Sequence, residues 1–106
     1  MLTEKRTVVF DKWFCKLPDN AQDVVGTYIN RLLLENFSNS NSAGKGVSEL
    51  KIDFQKGYRV YFTILNNKEV LLLLAGGTKG GNQKQQQKDI ALAIEIRDYL
   101  KQQGVI

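Results

Sequence analysis

Between Val47 and Ala75 the chain runs through three consecutive stretches with strand character, parted only by short turn-forming segments. That spacing leaves little choice of topology, because strands joined by tight turns pair with their sequence neighbours as an antiparallel meander. In VSELKIDF, Ser48, Leu50, Ile52 and Phe54 share one face, and Val47, Glu49, Lys51 and Asp53 share the other. In YRVYFTIL, Tyr58, Val60, Phe62 and Ile64 oppose Arg59, Tyr61, Thr63 and Leu65. A three-residue loop, Gln55-Lys56-Gly57 with Gly57 left-handed, predicts Lys51 opposite Tyr61, Asp53 opposite Arg59 and Leu50 opposite Phe62. Asn66-Asn67 then turns the chain into KEVLLLLAGG. This places Val70, Leu72 and Leu74 on the Arg59 face, and Leu71, Leu73 and Ala75 on the core face. A strand apolar on both sides is covered on both, so the Arg59 face is expected to carry a roof, either the last helix or a bound partner.

The flanking segments supply helices. RTVVF (6–10) reads as a first short strand, and Phe10, Trp13, Phe14 and Leu17 follow at helical spacing up to Pro18. Asp19 and Gln22 match a capping box opening a helix to about Asn36, with Ala21, Val24, Val25, Tyr28, Ile29, Leu32 and Leu33 on one face. SNSNSAGKG (38–46) reads as a loop, since its residues compete with regular backbone bonding. A last helix, roughly Gln85 to Gln103, carries Leu92, Ala93, Ile96, Tyr99 and Leu100 as its stripe. Neither side of the 38–46 loop builds a core alone, so residues 1–106 are read as a single α+β domain.

Composition narrows the function classes. The longest apolar run, Val70 to Ala75, is far too short to span a bilayer, and no secretory signal is readable at the start. A cytoplasmic protein with no membrane association is the expectation. Cys15 is the only cysteine and histidine is absent, so an internal disulfide is excluded and a metal site would have to be built from carboxylates, of which no cluster is visible. No cofactor is expected. The net charge of +4 is unevenly spread: residues 44–88 hold eight Lys/Arg against three Asp/Glu, while residues 1–43 are balanced at five each. A basic surface confined to the middle of the chain suits a phosphate-bearing partner, although lysines also keep strand edges soluble.

The combination GVSELKIDFQKGYRVYF, then LLLLAGGTKG, then KDIALAIEI resembles the RelE/ParE superfamily of toxins from toxin–antitoxin modules, and within it the HigB-like addiction module killer group. The resemblance begins at FDKWF and runs over almost the whole chain. It implies a short strand, two helices, a three-strand antiparallel meander and a C-terminal helix. It also implies a ribosome-dependent mRNA endonuclease neutralised by a cognate antitoxin, itself a helix-turn-helix protein. Messenger RNA and the ribosome would be its targets, and operator DNA would be met only through the antitoxin complex. The same superfamily includes ParE-like gyrase inhibitors, which are not enzymes, and a catalytically inactive relative would keep only the antitoxin contact.

Four residues are the candidate catalytic set. Arg59 falls on the arginine of the family's GYR segment, where a permanently charged fork suits phosphorane stabilisation; its structural alternative is a cross-strand salt bridge to Asp53. Lys51 matches a basic position of the family, as a base, a phosphate contact or a solvated strand lysine. Tyr61 is a candidate for base stacking or proton donation, against the common half-buried sheet tyrosine. Lys79 lies in GGTKGG, where the family pattern resembles GGDKSTQ; Thr78, Gly80, Gly81 and a few extra residues before Asp89 depart from it, which also bears on Gln83. Trp13, Phe14 and Cys15 are assigned to packing.

Overall fold

The computed structural model describes residues 1–78 and 83–106. In chain order these form β1 (Thr3–Arg6), α1 (Val8–Cys15), α2 (Asp19–Leu33), β2 (Ser40–Gly44), β3 (Val47–Ile52), β4 (Tyr58–Leu65), β5 (Val70–Thr78) and α3 (Gln83–Gln102). The strands make one sheet in the order β1-β5-β4-β3-β2, with β1 parallel to β5 and the other pairs antiparallel. The α+β class and the meander are as expected, with a fifth strand that sequence patterning had not located. No helix among the described residues is long and apolar enough to cross a membrane.

The first strand ends earlier than RTVVF implied. Thr7 is the reason: its hydroxyl accepts from the Phe10 amide at 3.0 Å, capping α1, and donates to the Leu74 carbonyl at 2.6 Å. Val8 and Val9 therefore open a helix rather than extend a strand. The capping box at Asp19 is not formed either. Pro18 occupies the cap of α2, and the Gln22 side-chain amide instead donates to the carbonyls of Phe14 (3.1 Å) and Leu17 (3.2 Å), tying α2 to the end of α1. α2 ends at Leu33, and Ala21, Val25, Ile29 and Leu32 are its buried stripe.

The 38–46 segment contains β2, an edge strand pairing Ser40 with Leu50 and Asn41 with Glu49. Its small polar side chains contribute little packing, so the strand exists through backbone bonds to β3. Gly44, Lys45 and Gly46, all at positive φ, then reverse the chain into β3.

Two registers differ from expectation. In the β3–β4 hairpin Lys51 pairs with Arg59, Glu49 with Tyr61 and Leu50 with Val60, so the connection runs from Asp53 to Gly57 rather than over three residues. The Gly57 amide bonds the Phe54 carbonyl at 2.8 Å, with Gln55 and Gly57 both at positive φ, and this wider turn shifts the pairing by two. An even shift preserves side-chain parity, so the assignment of faces survives. Between β4 and β5 a bulge intervenes: Phe62 pairs with Leu73 but Tyr61 pairs with Ala75, leaving Leu74 as the extra residue. Ala75 is thereby moved to the Arg59 face, and Gly76 takes the core position opposite Val60.

One side of the sheet packs on α1 and α2, with Phe10, Val25, Ile29, Leu50, Tyr58, Phe62, Leu71 and Leu73 at its centre. Gly76 is required there, because a methyl group would run into the Trp13 ring. The other side lies beneath α3, where Val47, Tyr61, Leu72, Leu74, Ala75 and Ala93 form a second, smaller cluster. The roof expected over the Arg59 face is thus α3.

Candidate active site beneath the last helix

Strand parity brings Glu49 and Lys51 of β3 to the face that also carries Arg59, Tyr61 and Thr63 of β4. Gly77 of β5 pairs with Arg59, and the bare backbone there admits the Asp89 carboxylate of α3, which a methyl group on Gly77 would overlap. Ile90, Ala93, Ile94, Ile96 and Leu100 seat the helix on the sheet. The expected stripe of α3 therefore divides: Ala93 is buried, while Leu92 and Tyr99 remain exposed beside Val8, Val9 and Val105 in a groove of about 640 Å³.

Within the covered zone the Arg59 side chain is 14% exposed and the Glu49 side chain 6%. Arg59 Nε lies 3.7 Å from Glu49 Oε1, at ion-pair distance, and makes no hydrogen bond to the described residues. Glu49 Oε2 accepts from Gln86 Nε2 of α3 at 3.0 Å, and Gln85 Nε2 donates to Asp89 Oδ1 at 3.0 Å. The acidic partner of Arg59 is therefore Glu49 and not Asp53, which sits exposed at the start of the β3–β4 turn. The two-residue shift in register is the cause of that correction.

Tyr61 is fully buried, with its hydroxyl beside Glu49 but short of good hydrogen-bond geometry. Burial first, then the negative charges of Glu49 and Asp89, push its pKa well above the ordinary tyrosine range, while Arg59 pulls weakly the other way. Tyr61 is thus neither half-buried nor open to a nucleobase with α3 in place. Its hydroxyl is a proton holder, not a base. Thr63, also buried, is satisfied by donating to the Gly46 carbonyl at 2.8 Å.

Lys51 is exposed and stands directly across the strand pair from Arg59. Two like charges at facing positions destabilise a sheet. Lys79, Gly80 and Gly81 lie outside the described residues, so the fourth candidate is not placed. The structure brings together Arg59, Lys51 and Tyr61 on one face and adds Glu49, Gln86 and Asp89, which sequence reasoning had not selected. Glu49 carried a usable signal: an acid next to Val47 on the strand face that was expected to be roofed.

The chemistry available is that of a cation pair at the margin of a polar zone covered by α3. Arg59 and Lys51 suit an anion with several oxygens, and Tyr61 can hold or release a proton if its cover shifts.

Comparison with known proteins agrees with this architecture. The family model described as Phage derived protein Gp49-like (DUF891) matches residues 12–98. An uncharacterized protein of Haemophilus influenzae is 41% identical over 58 residues, a segment covering 54% of this chain and 59% of the relative's own length. Among solved structures, the toxin fold is shared with the intact RelBE toxin-antitoxin complex of E. coli, with a TM-score of 0.63, 15% identity, and coverage of 74% of this chain and 96% of the other. A mutant of E. coli toxin RelE in the free state gives a TM-score of 0.66 at 13% identity, covering 85% and 94%. The chain belongs to the Gp49-like family of phage-derived proteins, and its fold is that of the RelE toxins.

Proposed function

We propose that this chain is the toxin of a toxin–antitoxin pair and that it cuts messenger RNA, most readily on the ribosome. The observation carrying this reading is the placement of Lys51 directly opposite Arg59, at the margin of the surface covered by α3. Facing like charges cost sheet stability, but the arrangement suits the paired oxygens of an RNA backbone. The solved RelE structures in complex with antitoxins support an antitoxin as the cognate partner.

Cutting follows the chemistry open to a chain without histidine. A ribose 2′-hydroxyl attacks the adjacent phosphorus and gives up its proton to water, the bond from phosphorus to the 5′-oxygen breaks, and a cyclic phosphate and a free 5′-hydroxyl remain. Arg59 offsets the charge that builds on the phosphorane, where a preorganised cation acts most strongly. Lys51 holds the flanking phosphate as a point charge. Tyr61, kept protonated by burial and by Glu49, supplies a proton to the departing 5′-oxygen once α3 shifts enough to admit it. Mapping of message 5′ ends in translating extracts tests the proposal. Wild type should produce new ends, and Arg59→Ala should lower their yield by about a hundredfold or more, the cost of losing a transition-state charge contact.

One observation favours a second reading. Arg59 already faces Glu49, so the guanidinium could be a structural cation in a toxin that binds rather than cuts. A ParE-like gyrase inhibitor or an inactive antitoxin-binding relative would fit. Growth arrest by wild type and Arg59→Ala alike, with messages intact and DNA breaks accumulating, selects the gyrase reading. Absence of toxicity from both selects the inactive one.

A further inference from the structure

We infer that Glu49 is a positioning residue, whose buried carboxylate sets the orientation of the Arg59 guanidinium for phosphate contact. The inference deepens the nuclease reading and rests on it for its kinetic arm, while its geometric arm stands alone.

Glu49 occupies a covered position in the middle of β3, cross-strand from Tyr61 and diagonal to Arg59. Only 5% of it is exposed, and burying a carboxylate is unfavourable unless it is paired. A hydrophobic residue there would extend the cluster of Val47, Tyr61 and Leu72, and a buried ion pair is seldom better for stability than such packing. The position is thus poorly explained by stability. The two oxygens are used separately. Oε2 is held by the Gln86 amide of α3 at 3.0 Å, which fixes the carboxylate, and Oε1 faces Arg59 Nε at 3.7 Å.

Contact through Nε engages the edge of the guanidinium nearest the main chain. The terminal nitrogens of the fork are then left for a ligand, and the carboxylate draws the Nε edge of the fork towards itself. Nε itself makes no hydrogen bond to the described residues, so the pair has slack that anion binding would take up. The same carboxylate lies beside the Tyr61 hydroxyl, so one acid faces both groups assigned to the reaction.

Glu49→Gln keeps the shape and the possibility of the Gln86 contact but removes the charge. The full-length chain is used, with a 2′-deoxy-substituted RNA oligonucleotide for binding, translating extracts for cutting, and the Arg59 Nε–Hε resonance as the structural reporter. Glu49→Gln should bind the oligonucleotide severalfold tighter at low salt, having lost one negative charge, yet cut at saturation at least about tenfold more slowly. Its Arg59 resonance should broaden or move towards that of a solvent-exposed arginine. A merely structural role would weaken binding and cutting together, and that result overturns the inference. So does cutting that is unchanged or that rises with binding.

If Glu49→Gln does not fold, Glu49→Asp serves, with the charge kept but withdrawn by one methylene; slower cutting with unchanged binding supports the inference, and unchanged cutting overturns it. If wild type cuts no message, the nuclease reading falls by itself. The resonance then decides: a signal indifferent to Glu49→Gln, or to Glu49→Asp where only that variant folds, overturns the positioning role, and a lost or shifted signal upholds it.

Discussion

The two faces of the sheet share their strands and differ in what they bury. Against α1 and α2 the strands present Leu50, Ile52, Tyr58, Val60, Phe62, Leu71 and Leu73, with no charged side chain among the buried members. Beneath α3 the same strands present Tyr61, Leu72 and Leu74 alongside Glu49 and Thr63, the only buried polar or charged side chains among the described residues. Among the described residues, the three buried side-chain atoms lacking a hydrogen bond, on Arg59, Tyr61 and Arg97, also belong to this side. Apolar burial stabilises a fold whatever its function, whereas unsatisfied polar groups under a helix lower stability. The α1/α2 face is therefore the anchor of the fold, and the α3 face is where stability has been given up for polar groups.

That contrast can be broken or sharpened by substitution. The largest effect is expected for Phe10→Ala, which empties the space shared with Trp13 and Phe14 and should cost about 3–5 kcal/mol in urea unfolding. A pair of adjacent glycines tests the two faces with one chemical change. Gly76→Ala drives a methyl group into the Trp13 ring and should cost about 1–3 kcal/mol, the range for overpacking a core. Gly77→Ala meets the Asp89 side chain, most closely its carboxylate, which can swing away, and should cost less than about 1 kcal/mol. Its signature should be local: amide exchange speeds up in the first turns of α3 and stays unchanged in α2. Equal costs at the two positions would contradict the division of roles.

The smallest effect on stability at neutral pH is expected for Tyr61→Phe, within about 1 kcal/mol, since the hydroxyl makes no bond of good geometry. The alkaline range should separate the variants. Folding raises the Tyr61 pKa above its ordinary value of 10.0, so the unfolded chain gives up that proton first. The associated stability is complete below pH 10 and declines as pH rises beyond it. Wild type should lose stability there more steeply than Tyr61→Phe.

Much of the fold was legible because parity along strands is a strong signal: it grouped Glu49 with Lys51 and Arg59 with Tyr61, and a connection of odd length then put both sets on one face. Register was less legible. The turn from Asp53 to Gly57 depends on a left-handed Gln55, a conformation the residue type does not announce, and the resulting shift exchanged Asp53 for Glu49 as the partner of Arg59. The bulge at Leu74 was hidden for a similar reason, since in a run of leucines every position looks apolar. β2 was unreadable because its Ser, Asn and Gly side chains favour loops and only its backbone is used. Burial of Tyr61 depends on where α3 lies, a tertiary fact that local pattern does not contain.

The claim on which the account turns is that RNA meets the sheet at Lys51 and Arg59. Titration of an uncleavable 2′-deoxy-substituted RNA oligonucleotide into isotope-labelled protein, followed residue by residue, tests it directly. The account predicts perturbations centred on Lys51, Arg59 and Glu49 and extending to Gln86 and Asp89 of α3, with α2 silent. Saturable binding that leaves those residues unmoved and perturbs another surface would contradict it.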